Sequence, residues 1–190
     1  SACAYPTNLQ EDGPDQQRYL SEEMADPFKK GCALSDGEYG WAKFMGEMAL
    51  KGYHKQFGTK GVSCRLFTVY GPRENESHAI IAFIAKALIK QDPYEIWGSG
   101  QQDRNFTYVS DIVTGIKLAA EKITDCRSVN VGTDEITKII DAVKTVFQTV
   151  WGVITKAAKW LGVDFLIGAA PLAVLGLATY AAAPAEGGGN

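Results

Sequence analysis

The sequence predicts an α/β fold over residues 1–147, because short runs rich in β-branched and aromatic residues alternate there with stretches whose apolar positions recur at helical spacing. Two further observations support this. Val62 to Tyr70 is β-rich and stops at Gly71-Pro72, as a strand entering a turn does, and near residue 147 the mixed pattern gives way to a long, nearly uncharged stretch. The 190 residues suffice for one domain with an appendage and a sizeable core, so neither disulfides nor a metal is needed to hold it.

The first predicted helix begins at Ser35-Asp36-Gly37-Glu38, where Ser35 and Glu38 have capping-box spacing, and runs through Phe44, Met45, Met48 and Ala49 toward Gly58. A strand follows at Val62–Tyr70. Ile80, Ile81, Ile84, Ala87 and Leu88 then mark a helix over about Ser77–Lys90, and Ile112, Ile116 and Ala119 form the inward stripe of another over Asp111–Lys122. Val129-Asn130-Val131 before Gly132 reads as a strand. Ile136, Ile139, Ile140, Val143 and Phe147 then give a helix over Asp134–Phe147.

Residues 148–190 are of another kind. Val150, Val153, Ile154, Ala157, Ala158 and Leu161 form an apolar stripe with Lys156 and Lys159 off it, and Phe165–Ala185 is a run of 21 residues without charge. At about 1.5 Å per residue such a run could cross a hydrocarbon core of roughly 30 Å. Its many alanines, together with Pro171 and Pro184, favour instead a buried pair of small-residue helices broken near Gly168–Pro171, covering apolar surface left open by the rest of the sheet or by a second copy of the chain. Were it to span, the lysines before it would leave residues 1–147 in the cytoplasm.

Charge and cysteine usage narrow the function classes. With 19 Lys plus Arg against 22 Asp plus Glu, a net charge of -3 and no basic run, nucleic acid is not an expected partner. Cys3, Cys32, Cys64 and Cys126 contain no CxxC pair, and only His54 and His78 could join them on zinc, so no metal site is expected. Without a charged and apolar leader before them, free thiols in a reducing compartment are the expectation.

Tyr39-Gly40-Trp41-Ala42-Lys43 places a phenol and an ammonium on one helical face, and an ammonium near a phenol favours its exchanging protons with a carbinol or ketone near neutral pH. YxxxK alone is a weak signal. Its neighbours strengthen it: Ser1-Ala2-Cys3-Ala4-Tyr5-Pro6 precedes it, Arg65-Leu66-Phe67-Thr68-Val69-Tyr70-Gly71-Pro72-Arg73 follows, and Trp97-Gly98-Ser99-Gly100-Gln101-Gln102-Asp103-Arg104-Asn105-Phe106-Thr107-Tyr108-Val109 leads to Asp111.

In order and approximate spacing these four blocks, over residues 1 to about 135, resemble the extended short-chain dehydrogenase/reductases, the NAD-dependent nucleotide-sugar epimerases and dehydratases. Within that family the resemblance is nearest to GDP-mannose 3,5-epimerase and GDP-L-fucose synthase. It implies the second half of a Rossmann-like parallel sheet, part of a sugar-binding region, NAD or NADP as cofactor and a nucleotide sugar as substrate. It further implies that the hydroxyls of Ser1 and Tyr39 meet at the sugar's C4 oxygen. Lys43 would hold the nicotinamide ribose and tune Tyr39, Cys3 and His78 would exchange protons beside a 4-keto group, and Arg104 would face the diphosphate. A thiol with an ordinary pKa near 8.5 and an imidazole near 6.5 can both be tuned to that task.

The chain departs from the family in three places. Thr68 stands where the RxxNxYGP block usually has Asn; no Gly-rich dinucleotide turn precedes Ser1; and residues 148–190 do not resemble the family's usual ending. The expectation is therefore an epimerase or epimerase/reductase that is a fragment or is completed by another chain, a homo-oligomer or complementing partner covering the open sheet edge. The alternative is a non-catalytic assembly or membrane-associated module derived from such an enzyme.

Overall fold

A computed structural model describes residues 1–10, 19–26, 35 and 37–161. In chain order its elements are α1 (Gly37–Phe57), β1 (Ser63–Leu66), β2 (Val69–Tyr70), α2 (Ala79–Leu88), β3 (Asp103–Arg104), β4 (Thr107–Tyr108), α3 (Val109–Lys122), β5 (Ser128–Val131), β6 (Thr137–Lys138) and α4 (Ile139–Trp160). Short 3₁₀ turns at Ala2–Ala4, Thr7–Leu9 and Glu22–Ala25 precede them. The fold is α/β, and the chain divides into two compact units, Ser1–Val69 with Asn105–Glu135 and Tyr70–Arg104 with the chain from Ile136 onward.

In the first unit β1 and β5 pair in parallel, with Ser63 opposite Ser128 and Leu66 opposite Val131. Parallel neighbours need a long crossover, and α3 is its returning helix. It lies very close to β5, since a methyl on Gly115 would fall 2.6 Å from Cγ1 of Val131. Ile112 and Ala119 are buried as the periodicity predicts, but Ile116 is exposed, on the edge of the stripe rather than its centre. The predicted strand Val62–Tyr70 is interrupted. Phe67 donates its N–H to Val131 O at 3.2 Å, whereas Thr68 O accepts from Thr107 N at 2.9 Å, so the chain changes partners between these residues.

The first unit is centred on a buried ion pair. Arg65 donates from Nε to Glu47 Oε1 at 2.9 Å and from Nη2 to Glu47 Oε2 at 2.7 Å, with the two side chains 2% and 7% exposed. A third donor, Nη1, reaches Glu22 O at 3.0 Å, and Ser128 Oγ donates to Glu47 Oε2 at 2.6 Å. Burial acts to raise the Glu47 pKa, but the hydrogen bonds from Arg65 and Ser128 outweigh it and hold the carboxyl below its ordinary value.

In the second unit α2 packs against α4, burying Phe83 and Ala87 against Ile140, Ala142 and Val143. Tyr94 closes the end of this core. Its hydroxyl donates to Phe83 O at 2.7 Å, its ring meets Phe147 edge-on at 6.4 Å, and burial pushes its pKa up. The helix predicted over Asp134–Phe147 starts later, because Thr137–Lys138 pairs antiparallel with Asp103–Arg104 as β6. It also ends later: the change of composition near residue 147 falls inside α4, whose backbone continues to Trp160. Val153, Trp160 and Leu161 on its last turns are exposed, as are Leu88 and Trp97.

No helix among the described residues is long and apolar enough to cross a membrane. The Phe165–Ala185 run, with the break expected near Gly168–Pro171, lies outside the described residues, as do Cys32 and Asp36. Cys3, Cys64 and Cys126 carry free thiols.

Candidate functional site

Ser1 and Cys3 belong to one short turn. Ser1 Oγ accepts from Cys3 N at 3.2 Å, and the turn closes through Ala4 N to Ser1 O at 3.2 Å and Tyr5 N to Ala2 O at 2.9 Å. Tyr5 anchors its far end. That ring is fully buried, its hydroxyl donates to Asn130 Oδ1 at 2.6 Å, and the Arg65 guanidinium lies 4.9 Å from its centroid. The ion pair at the centre of the first unit thus also supports the segment that carries Cys3.

The turn rests on the start of α1. A methyl built on Gly40 would strike the Cys3 carbonyl oxygen and lie 3.2 Å from its carbon, so only a residue without Cβ lets the helix approach this closely. Ser35 secures the same place: its hydroxyl donates to Ala4 O at 3.1 Å, and its backbone bridges Pro6. This corrects the capping-box reading of Ser35, because the nearby Ala4 carbonyl takes the hydroxyl and no bond from it to α1 exists among the described residues.

Tyr39 and Lys43 project from the first two turns of α1. Tyr39 is 59% exposed, and Lys43 Nζ lies over its ring, 5.1 Å from the centroid. The ammonium therefore sits on the face of the phenol. Lys43 has no carboxylate partner among the described residues.

The second unit carries the other two predicted residues. His78 precedes α2 as its N-cap residue without a side-chain capping bond, and its Nδ1 lies 2.7 Å from Glu74 Oε1. An ionised carboxylate can only accept, so Nδ1 bears the hydrogen and Nε2 is left for another partner; the imidazole is 62% exposed. Glu74 was not singled out in the sequence, although its position four residues before His78 is the spacing at which helical side chains meet. Arg104, exposed in β3, donates from Nη1 to Asp103 O at 2.7 Å, while the Asp103 carboxylate lies 3.8 Å from Lys138. The guanidinium has no acidic partner among the described residues.

Sequence reasoning also missed the pairing of Glu47 with Arg65. Its available signal was the i, i+4, i+8 line of Tyr39, Lys43 and Glu47 along α1, followed by an arginine in an otherwise β-rich run. A cleft of about 600 Å³ beside β1, lined by Val62, Cys64, Leu66, Ile116 and Ile123, contains none of the predicted site residues; burial raises the Cys64 thiol within it.

The sequence profile of the NAD dependent epimerase/dehydratase family matches residues 1–132. Among curated proteins, the chain is 44% identical over 84 residues to the uncharacterized UDP-glucose epimerase YtcB of Bacillus subtilis, covering 44% of this chain and 26% of that protein. It is 32% identical over 152 residues to GDP-mannose 3,5-epimerase of Arabidopsis thaliana, covering 78% and 38%. Among solved structures, UDP-glucuronic acid 4-epimerase from Bacillus cereus, in complex with UDP-glucuronic acid and NAD, superposes with a TM-score of 0.58 at 28% identity, covering 76% of this chain and 43% of that one. The chain spans between about a quarter and two fifths of the length of these two curated relatives.

Proposed function

The chain belongs to the NAD dependent epimerase/dehydratase family, and from that premise we propose that it supplies the sugar-facing half of a nucleotide-sugar epimerase or epimerase/reductase acting through a 4-keto sugar. The observation that best supports this reading is the seating of the turn bearing Ser1 and Cys3 on the start of α1, beside Tyr39 and Lys43. Those four residues belong to one unit, although Cys3 and Tyr39 are 36 positions apart by number.

Ser1 and Tyr39 hydrogen-bond the C4 oxygen of the sugar, and Tyr39 holds or releases the carbinol proton. The exposed Tyr39–Lys43 face fits a nicotinamide ribose, since the ammonium has no competing carboxylate and can donate to a diol. Tyr39 and Lys43 would hold the nicotinamide ribose of NAD or NADP there, and the nucleotide when bound would supply reversible hydride exchange at C4. With C4 as a ketone, the neighbouring C–H bonds are acidified. The Cys3 thiolate takes the hydrogen as a proton and the electron pair passes into the enolate; His78, protonated at Nε2, is the acid that would return a proton to the carbon. Glu74 orients the imidazole for that step. Arg104 clamps the diphosphate. The dinucleotide-binding half comes from a longer form of the protein or from a partner chain, and the assembly works in the cytoplasm.

The test needs no cofactor turnover. A nucleoside diphosphate 4-keto-hexose, incubated in D₂O with the protein, should gain deuterium at C3 or C5 by NMR. Cys3→Ser should slow that exchange by about 10²–10⁴-fold, the range of a positioned acid or base. Undiminished exchange in Cys3→Ser would remove Cys3 from the role. Retention of NAD by the purified protein separately tests the cofactor face.

A further inference from the structure

We infer that Gly40 is a positioning residue for Cys3: by lacking a Cβ it lets the Cys3 carbonyl seat directly on α1, and so sets where the thiol stands relative to Tyr39. The catalytic meaning of this placement rests on the function proposed above; the placement itself is a property of the chain and can be measured without turnover.

Three glycines of α1 make the argument by contrast. Beside Gly46 and Gly52 a methyl group would meet nothing within 4 Å, whereas at Gly40 it would collide with the Cys3 carbonyl oxygen and lie 3.2 Å from the Cys3 carbon and 3.4 Å from the Ser35 carbon. All of those atoms are backbone. No rotamer change can relieve the collision, so either the helix or the turn must move. The turn is the lighter of the two. Its own closure depends on three hydrogen bonds, Cys3 N to Ser1 Oγ, Ala4 N to Ser1 O and Tyr5 N to Ala2 O, while α1 runs for 21 residues and is fixed through Glu47.

The surrounding contacts leave the turn little other freedom. Ser35 Oγ holds Ala4 O on one side, and Tyr5 is buried beneath the Arg65 guanidinium with its hydroxyl on Asn130. A displacement forced at Gly40 therefore falls on Ser1 to Ala4 and carries the Cys3 thiol away from the helix. Because Gly40 directly follows Tyr39 in the chain, the close approach places the backbone of Cys3 against the residue next to the helical phenol. A glycine elsewhere on the helix could not do this.

The test compares Gly40→Ala with Gly46→Ala and Gly52→Ala in the full chain. Its readout is iodoacetamide labelling resolved by peptide mass spectrometry, with Cys126, fully buried in the same unit, as the internal reference for global opening. Gly40→Ala should raise the Cys3 labelling rate at least threefold with Cys126 unchanged, and Gly46→Ala and Gly52→Ala should leave both rates as they are. Parallel acceleration of Cys3 and Cys126 would show a loss of stability only, and an unchanged Cys3 rate would show that the seat does not hold the thiol; either overturns the inference. Ser35→Ala releases the same turn without adding a clash, so it decides the matter should Gly40→Ala not fold. It should accelerate Cys3 selectively, and an unaltered rate again counts against the seat. Failure here leaves the epimerase reading standing, since that is tested by deuterium exchange, and failure of the exchange test leaves the seat standing.

Discussion

Glu47 accepts three hydrogen bonds on one carboxylate, and its loss would leave the Arg65 guanidinium buried with only a backbone carbonyl and the face of Tyr5 around it. Glu47→Gln should therefore destabilise the first unit by about 3–5 kcal/mol, measured by urea denaturation, since removing one partner of a buried pair costs far more than the pair contributes. The same carboxyl dictates a pH dependence. Its folded pKa lies below the ordinary value of 4.5, so its stabilising contribution is fully present above that pH and is lost as the pH falls through the lowered value. The wild-type chain should lose stability on acidification below about pH 4.5, and Glu47→Gln should show a flatter acid limb. A similar argument attaches to His78, where Glu74 dictates the Nδ1–H tautomer. Nitrogen-15 spectra of the neutral ring should show Nε2 unprotonated, and Glu74→Ala should change the tautomer ratio; an unchanged ratio would show that the carboxylate does not orient the ring.

At the scale of elements, the approach of α3 to β5 is sensitive to added bulk. Gly115→Ala gains up to about 1 kcal/mol in helix propensity but drives a methyl into Val131, an overpacking that costs about 1–3 kcal/mol, so the net effect should be destabilising. Adding Val131→Ala should recover part of the loss, and additive effects in that double-mutant cycle would show that the two do not touch. This contact also illustrates what a sequence does and does not reveal. The helices and the strands Ser63–Leu66 and Ser128–Val131 were legible because periodicity and β-branched runs are local signals, and Tyr39 with Lys43 was legible because i and i+4 are neighbours on any helix. The two-residue strands were not legible, since β3 and β6 are dictated by partners 33 and 35 positions apart in chain number rather than by their own composition. Nor was the misreading of Ser35 avoidable, because the rival acceptor, Ala4 O, is supplied by tertiary structure. Buried Arg65 was hidden for the same reason: its partner Glu47 lies on another element.

For the whole molecule, the continuity of α4 through residue 147 matters most. A chain cut at 147 would lose the turns on which Trp151 lies against Lys90 and would leave Phe147 at a frayed end beside Tyr94. It should melt earlier than a chain cut after Leu161, with Cys126 in the first unit remaining protected from labelling in both; simultaneous exposure of Cys126 would show that the two units unfold as one. The order of the four sequence blocks made the family legible over residues 1–132, whereas the division into units was not, because each unit draws its residues from two separated stretches. That division has an optical consequence. Of the four tryptophans, Trp41 alone belongs to the first unit, tucked edge-on against Phe44, whereas Trp97, Trp151 and Trp160 belong to the second, and Trp97 and Trp160 are 83% and 85% exposed. Indole emission will thus be dominated by the second unit and largely water-like in the folded protein, so a fluorescence melt will understate unfolding of the very unit that carries Cys3, and collisional quenching by acrylamide should resolve two accessible indoles from two half-buried ones.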